Sequence, residues 1–282
     1  MQKRALAIHD ISCVGRCSIT VALPVLSAAG IDTGILPTAL LSTHTGGFTG
    51  YTHLDLSDQI LPIARHFHSL GIHFDALYTG YLASEQQADQ ILEVMDLLCD
   101  KETLIFVDPA FGDNGKMYGL LSPAMPGSML KLCRRAHVIV PNLTEASFML
   151  GKPFPAGGES QPELYRDLCG ELRNSGVNGH ILITDTRLSD KETGIVLLER
   201  EKDQAEFFLH PYIPGHFHGT GDVFASFLLG GILNQLPTCK AVELALKYTQ
   251  ISLQATLKNG SEYRYGLCFE NCLGDFARDC RR

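Results

Sequence analysis

The stretch His218-Gly219-Thr220-Gly221-Asp222 carries the strongest chemical pattern in the chain. It runs directly into the apolar segment Val223-Phe224-Ala225-Ser226-Phe227. Two glycines let the backbone turn tightly and expose its N–H groups. The helix expected next adds its positive end, so the pair forms an anion site suited to phosphate. A carboxylate in the first helical turn, Asp222, stands where it can take a proton from a hydroxyl attacking a phosphoryl group in line. The same residues also fit a tight turn with Asp222 as a simple helix cap. On this motif alone both readings stay open.

Three further segments bear groups of the right kind. Asp108-Pro109-Ala110-Phe111-Gly112-Asp113 follows an apolar run, Thr103 to Val107, that reads as a strand. Asp108 and Asp113 are hard oxygen donors of the sort Mg²⁺ takes, one or two carboxylates completed by substrate phosphates. An Asp-Pro turn initiator is the alternative. In Pro141-Asn142-Leu143-Thr144-Glu145, Asn142 and Glu145 have the spacing of a capping box. Glu145 is also placed to hold metal-bound water near phosphates. Ser42 to Gly50 is rich in hydroxyls and glycine and holds His44 and Thr45. It is either a binding loop for a polar ring or a surface loop.

The elements that must position these groups alternate. Strands are expected at Ala5 to His9, Gly34 to Pro37, Ala76 to Thr79, Thr103 to Val107, Val138 to Val140 and His180 to Thr184. Helices are expected at Ser18 to Ala29, from an N-cap at Ser57 to Leu70, from Ser84 to about Asp100, and at Ser122 to Arg134. Further helices fall at Thr144 to Leu150, Pro162 to Ser175, Asp222 to Asn234 and Lys240 to Lys258. Ile195 to Leu198 and Glu206 to Leu209 read as a hairpin. Alternation at this spacing means βαβ units, an α/β fold with a mainly parallel central sheet flanked by helices on both faces. In such sheets ligands sit at the carboxyl ends of the strands, which is where Asp108 and the pair Asn142 and Glu145 fall. No linker or repeat interrupts the chain, so residues 1–282 are expected to form a single domain.

Composition narrows the function. Against 23 Lys and Arg stand 31 Asp and Glu, a net charge of -8. This opposes non-specific nucleic-acid binding, which needs a basic surface. No apolar run approaches the roughly 20 residues of a membrane helix, and the N-terminus does not read as a secretory signal. Nine scattered cysteines read as reduced core thiols of a cytoplasmic protein. Cys268 and Cys272 are four apart, with no second pair to complete a zinc site. There is no G-x-x-x-x-G-K-[ST], no G-x-G-x-x-G after the first strand and no G-x-S-x-G, so P-loop, dinucleotide-binding and nucleophile-elbow chemistries are set aside.

Taken in order, the segments resemble the ribokinase-like superfamily, and within it the pyridoxal kinases, over nearly the whole chain. The residues that carry the resemblance are Asp10 to Gly15, Ser42 to Gly47, Asp108-Pro109 with Gly112-Asp113, Pro141-Asn142 with Glu145, and Gly219 to Asp222. The resemblance implies a kinase that phosphorylates the 5'-hydroxymethyl group of a B6 vitamer with ATP and Mg²⁺, with or without a monovalent cation. It implies a three-layer ribokinase-like fold, usually as a homodimer. Asp222 would be the base, and the Gly219, Thr220 and Gly221 amides the anion hole. Asp108, Asp113 and Glu145 would organise metal and phosphates, while Asn142, Thr184, His210 and Ile213 would lie along the nucleotide. Asp10, Ser12, His44 and Thr45 would contact the pyridine ring, with the acid at Asp10 suited to a protonated ring nitrogen or amine. The related hydroxymethylpyrimidine kinases often carry Cys where this chain has Asp222, which favours the pyridoxal branch. A non-catalytic binder of pyridoxal phosphate would have no use for Asp108, Glu145 and Asp222 together.

Overall fold

The computed structural model describes residues 2–119, 121–155, 161–215, 217–260 and 262–281. In chain order the first elements are β1 (Arg4–Ser12), α1 (Ile19–Ala28), β2 (Asp32–Leu41), β3 (His53–Asp55), α2 (Ser57–Ser69) and β4 (Ala76–Thr79). Next come α3 (Glu85–Leu98), β5 (Leu104–Val107), the short pair β6 (Gly112–Asp113) and β7 (Lys116–Met117), and α4 (Met125–Arg135). The chain continues through β8 (Val138–Ile139), α5 (Leu143–Met149), α6 (Pro162–Asn174), β9 (His180–Arg187), β10 (Glu192–Leu198) and β11 (Glu206–Pro211). The last helices are α7 (Thr220–Leu233), α8 (Thr238–Lys258) and α9 (Leu273–Asp279). The contacts divide the chain into two compact units, one of residues 1–80, 93–103 and 214–282, the other of residues 81–92 and 104–213.

In the first unit the strands lie in the order β4-β1-β2-β3. β1 is parallel to both neighbours, with Ala5 opposite Ala76 and Arg4 opposite Asp32. Ala5, Leu6, Ala7 and Ile8 are completely buried, as expected of a central parallel strand covered on both faces. α7 is apolar all round and buried from Val223 to Gly231. On it Phe227 meets Phe276 of α9 at 4.5 Å and Tyr248 of α8 at 5.6 Å between ring centroids. This packing gives α7 a firm base, so that its first turn is held in place.

In the second unit the order is β5-β8-β9-β10-β11. β5, β8 and β9 are parallel, and β9, β10 and β11 form an antiparallel meander. The expected hairpin is therefore present. The register between β9 and β10 shifts between Gly194 and Val196, and Asp185 beside this irregularity takes φ 56.

Several boundaries differ from expectation. β1 extends past His9 to Ser12, because Asp10 and Ser12 are buried and satisfy each other. Ser57 is not the N-cap of α2. Leu56 is, without a side-chain bond, and Ser57 instead donates its amide to Asp55 at 2.7 Å. α4 begins at Met125, three residues after Ser122, whose hydroxyl oxygen accepts from the Ala124 amide. The region 38–55 holds the end of β2 and the edge strand β3. All nine cysteines are free thiols, and Cys272 donates to the Phe269 carbonyl at 3.1 Å.

Candidate active site

In the first unit, Gly219 precedes α7 with φ 74. A Cβ there would lie 2.1 Å from the Arg16 carbonyl oxygen, so neither the conformation nor the space admits another residue. The Gly219 carbonyl accepts from Val223 at 3.0 Å, and the Thr220 hydroxyl turns back to donate to the Phe217 carbonyl at 3.0 Å. No side chain caps the helix. The amides of Thr220, Gly221 and Asp222 therefore have no acceptor within it, which is the disposition an anion hole needs.

Asp222 keeps partial exposure. Burial of its carboxyl end pushes it up to about 7; the hydrogen bond from the Ser18 backbone opposes this, and the charge of Asp10 adds to it. Asp10, at the end of β1, is 5% exposed. It accepts from the Ser12 hydroxyl at 3.0 Å and the Ser18 hydroxyl at 2.5 Å. Burial raises it above the ordinary carboxylate range, against both hydroxyls. The buried thiol of Cys17 is pushed up by burial, then by Asp222 and Asp10.

His44 is buried. Its Nδ1 accepts from the Gly46 amide at 3.2 Å, so Nε2 carries the proton and donates to the Arg264 carbonyl at 2.5 Å. Burial lowers its basicity, which keeps the ring neutral. The ring also stands 5.1 Å from Phe48 and 5.3 Å from His218. A Cβ on Gly46 would meet His218 at 2.4 Å, so that glycine is what lets the two loops close together. Thr45 is exposed beside His44. Thus Asp222, Gly219, Thr220, Gly221, Asp10, Ser12 and His44 come together, with Thr45 at the edge of their loop. Ser18, Cys17 and Arg264 join them, none of which the sequence pattern had marked, as does His218, the first residue of the glycine motif.

In the second unit, Asn142 and Glu145 form the expected capping box. The Asn142 Oδ1 accepts from the Glu145 amide at 3.0 Å, and Glu145 accepts from the Asn142 amide at 2.9 Å. Glu145 also accepts from the amides of Phe111 at 2.9 Å and Gly112 at 3.3 Å. Burial still pushes its carboxyl up to about 7 against these three amides, with Asp113 adding to the rise. Asn142 Nδ2 donates to the Gly112 carbonyl at 2.7 Å. Glu145 and Asn142 thereby pin the loop that carries Asp113. Asp113 accepts from the Asn114 amide at 2.8 Å, and Asp108 is buried just after β5.

Among the described residues no three His, Cys, Asp or Glu side chains gather as a metal-holding group. Asp108, Asp113 and Glu145 therefore do not make a closed cage. Asp108 and Asp113 are oxygen donors of the type Mg²⁺ takes, one or two carboxylates completed by phosphate and water, whereas Glu145 is committed to backbone amides. Thr184 lies in β9 beside Asn142, its amide donating to Pro141 at 2.9 Å. Asp185, next to it, is exposed at its surface, yet desolvation of its carboxyl end and the charge of Asp113 push it up to about 6. His210 is the penultimate residue of β11, its Nδ1 donating to the Pro211 carbonyl at 3.1 Å, and Ile213 follows, half-buried.

A model of the phosphomethylpyrimidine kinase family matches residues 22–265. A pyridoxal kinase from Arabidopsis thaliana is 29% identical over 272 residues, 90% of this chain and 82% of that protein. Among solved structures, a Bacteroides thetaiotaomicron protein provisionally described as a phosphomethylpyrimidine kinase, crystallised with pyridoxal, superposes with a TM-score of 0.91. It is 33% identical, with 98% of this chain and 96% of that one covered. A pyridoxal kinase from Lactobacillus plantarum gives 0.90 at 28% identity, covering 99% and 98%.

Proposed function

The chain belongs to the phosphomethylpyrimidine kinase family, with a ribokinase-like fold, and on that premise we propose that it transfers the γ-phosphoryl group of ATP to the 5'-hydroxymethyl group of a B6 vitamer. The observation that carries the reading is the start of α7. There an uncapped helix end with a left-handed glycine lies under a carboxyl group poised near neutrality. The relatives named pyridoxal kinase, and the structure crystallised with pyridoxal, supply the substrate class.

In this reading Asp222 takes the proton of the substrate hydroxyl as its oxygen attacks the γ-phosphorus, the bond from that phosphorus to the β–γ bridging oxygen breaks and ADP leaves. A base near neutrality is ionised enough to accept and basic enough to hold the proton. The amides of Thr220, Gly221 and Asp222 receive the charge that develops on the transferring group. Asp10, Ser12, His44 and Thr45 face the pyridine ring. Asp108 and Asp113 would hold Mg²⁺, which neutralises phosphate charge when bound, and Glu145 holds their loop in shape. Asn142, Thr184, His210 and Ile213 line the nucleotide side. The whole chain then serves as one kinase domain, a cytoplasmic homodimer whose free thiols suit a reducing compartment.

The test is a panel of pyridoxal, pyridoxamine, pyridoxine and hydroxymethylpyrimidine with ATP and Mg²⁺, followed for phosphorylated product. Product from the vitamers supports the reading. Product from hydroxymethylpyrimidine alone replaces it with the pyrimidine activity from which the family takes its name.

A further inference from the structure

The site of the first unit is built on the loops that follow β1 and β2 and the one that leads into α7. A short 3₁₀ turn far along the chain, Tyr263–Tyr265, touches all of them. The Arg16 amide donates to the Tyr265 carbonyl at 3.0 Å. Gly266 takes φ 81, and a Cβ there would lie 2.4 Å from the Arg16 carbonyl oxygen, the same oxygen that excludes a Cβ at Gly219. Phe217 stands 4.4 Å from Tyr263 between ring centroids. The 42–50 loop is gripped at two places. His44 Nε2 donates to the Arg264 carbonyl at 2.5 Å. The Arg264 guanidinium lies 5.2 Å from the centre of the Phe48 ring and 5.4 Å from that of Tyr265, and Phe48 meets Tyr265 edge-on at 5.3 Å. Between the two grips Gly47 takes φ 77, and a Cβ there would lie 2.9 Å from the Arg264 Cβ.

We propose that Arg264 is a positioning residue that seats the 42–50 loop against the vitamer, with His44 as the latch of that loop and not a hydrogen-bonding contact to the substrate. The proposal rests on the reading of this loop as the one that faces the pyridine ring. Both nitrogens of His44 are spent on backbone groups. Nδ1 accepts from the Gly46 amide, which can only donate, and Nε2 donates to the Arg264 carbonyl, which can only accept. The ring is therefore the neutral Nε2–H form with no nitrogen left for a ligand. Arg264 holds the loop with both of its parts: the main-chain carbonyl takes the His44 proton, and the cation covers Phe48 four residues on. Glu262 pairs with the guanidinium at 2.6 Å and keeps it over the rings. The loop can come this close only because glycine stands at 46, against His218, and at 47, against Arg264.

The test is steady-state kinetics in pyridoxal and in ATP for the parent, R264A and R264K, together with the imidazole nitrogen resonances of ¹⁵N-labelled parent, the His44 pair being identified by its loss in H44Q. In R264A the KM for pyridoxal rises about two- to fivefold, the scale of a lost cation over an aromatic ring, and the KM for ATP does not follow it. R264K keeps a cation over the rings without the planar face, so its pyridoxal KM lies between the two. In the parent, the His44 nitrogens show Nε2 protonated and Nδ1 bare, and they keep their positions when pyridoxal saturates the protein. A pyridoxal KM in R264A equal to the parent's overturns the positioning role and leaves the kinase reading standing. An equal rise in the KM for both substrates overturns it as well, since that marks general damage to the fold. His44 nitrogens that change protonation or position on binding pyridoxal overturn the latch. No phosphorylation of pyridoxal by the parent removes the functional reading and this inference with it. If R264A does not fold, R264K decides by whether its pyridoxal KM alone rises.

Discussion

At α5 the helix start is closed. Asn142 and Glu145 satisfy each other's amides, and Glu145 spends its remaining capacity on Phe111 and Gly112. At α7 the start is open. No side chain caps it, Gly219 holds a left-handed turn, and Thr220 bends its hydroxyl away to Phe217. Each helix carries an acid in its first turn that burial pushes up to about 7. The same electrostatic direction therefore serves two ends. Glu145 is 2% exposed and saturated with backbone donors, which is the state of a group that holds a loop. Asp222 is partly exposed and leaves its neighbouring amides unused, which is the state of a group that can meet a substrate. A shifted acid becomes informative only once its hydrogen-bond partners are counted.

The largest effect expected from breaking this contrast is at Asp222. D222N should lower turnover by roughly 10²–10⁴-fold, the contribution of a positioned base, with little change in substrate binding. It should also be the more stable protein at pH 8. The carboxyl rises from 3.8 to about 7 in the folded chain. The stability owed to its neutral form is complete below the lower value and lost as pH climbs through the upper one. Asparagine cannot ionise and keeps that stability. Thermal melts at pH 4 and pH 8 check this: the D222N gain should be absent at the first and amount to several degrees at the second.

Next in size is G219A. A Cβ 2.1 Å from the Arg16 carbonyl must displace one of the two loops and with it the amides that follow Gly219, and misplacing one donor of such a site costs on the order of 10²-fold in turnover. Steady-state kinetics with a folding check by circular dichroism measures it. On the closed side, E145Q replaces one accepting oxygen by a donor that faces the Asn142 amide. Its effect should appear as a several-fold rise in the Mg²⁺ concentration for half-maximal rate, through the loop that carries Asp113. An unchanged Mg²⁺ titration would detach Glu145 from the metal's surroundings. The smallest effect is N142A, the loss of a helix cap worth about 1 kcal/mol, seen as a drop of a few degrees in Tm.

Local chemistry made both helix starts legible in advance. A Gly-Thr-Gly-Asp run and an Asn-x-x-Glu run declare themselves within five residues, and strand–helix alternation announced the parallel sheet. What escaped depends on contacts between distant segments. The proton on His44 is placed by the carbonyl of Arg264, 220 positions away, and no spacing rule reaches that far. Ser18 read as an ordinary helix start because its pattern is that of a cap, whereas in the fold its hydroxyl is taken by Asp10. α9 went unread because seven residues are two turns, too short for periodicity to stand out. Asp108, Asp113 and Glu145 were visible as acids after strands. That Glu145 is spent on backbone amides appears only once the 111–112 loop is folded over it.

The central claim is that Asp222, above an open helix end, drives phosphoryl transfer to a B6 vitamer. The most direct measurement is ATP-dependent formation of pyridoxal 5'-phosphate by the parent chain and by D222N, at pH 8 with Mg²⁺ present. The account predicts steady product from the parent and, from a folded D222N with near-parent pyridoxal binding, at least a hundredfold less, in line with the role of a general base. Equal rates from the two proteins, or no phosphorylated product from the parent with any B6 vitamer, would contradict it.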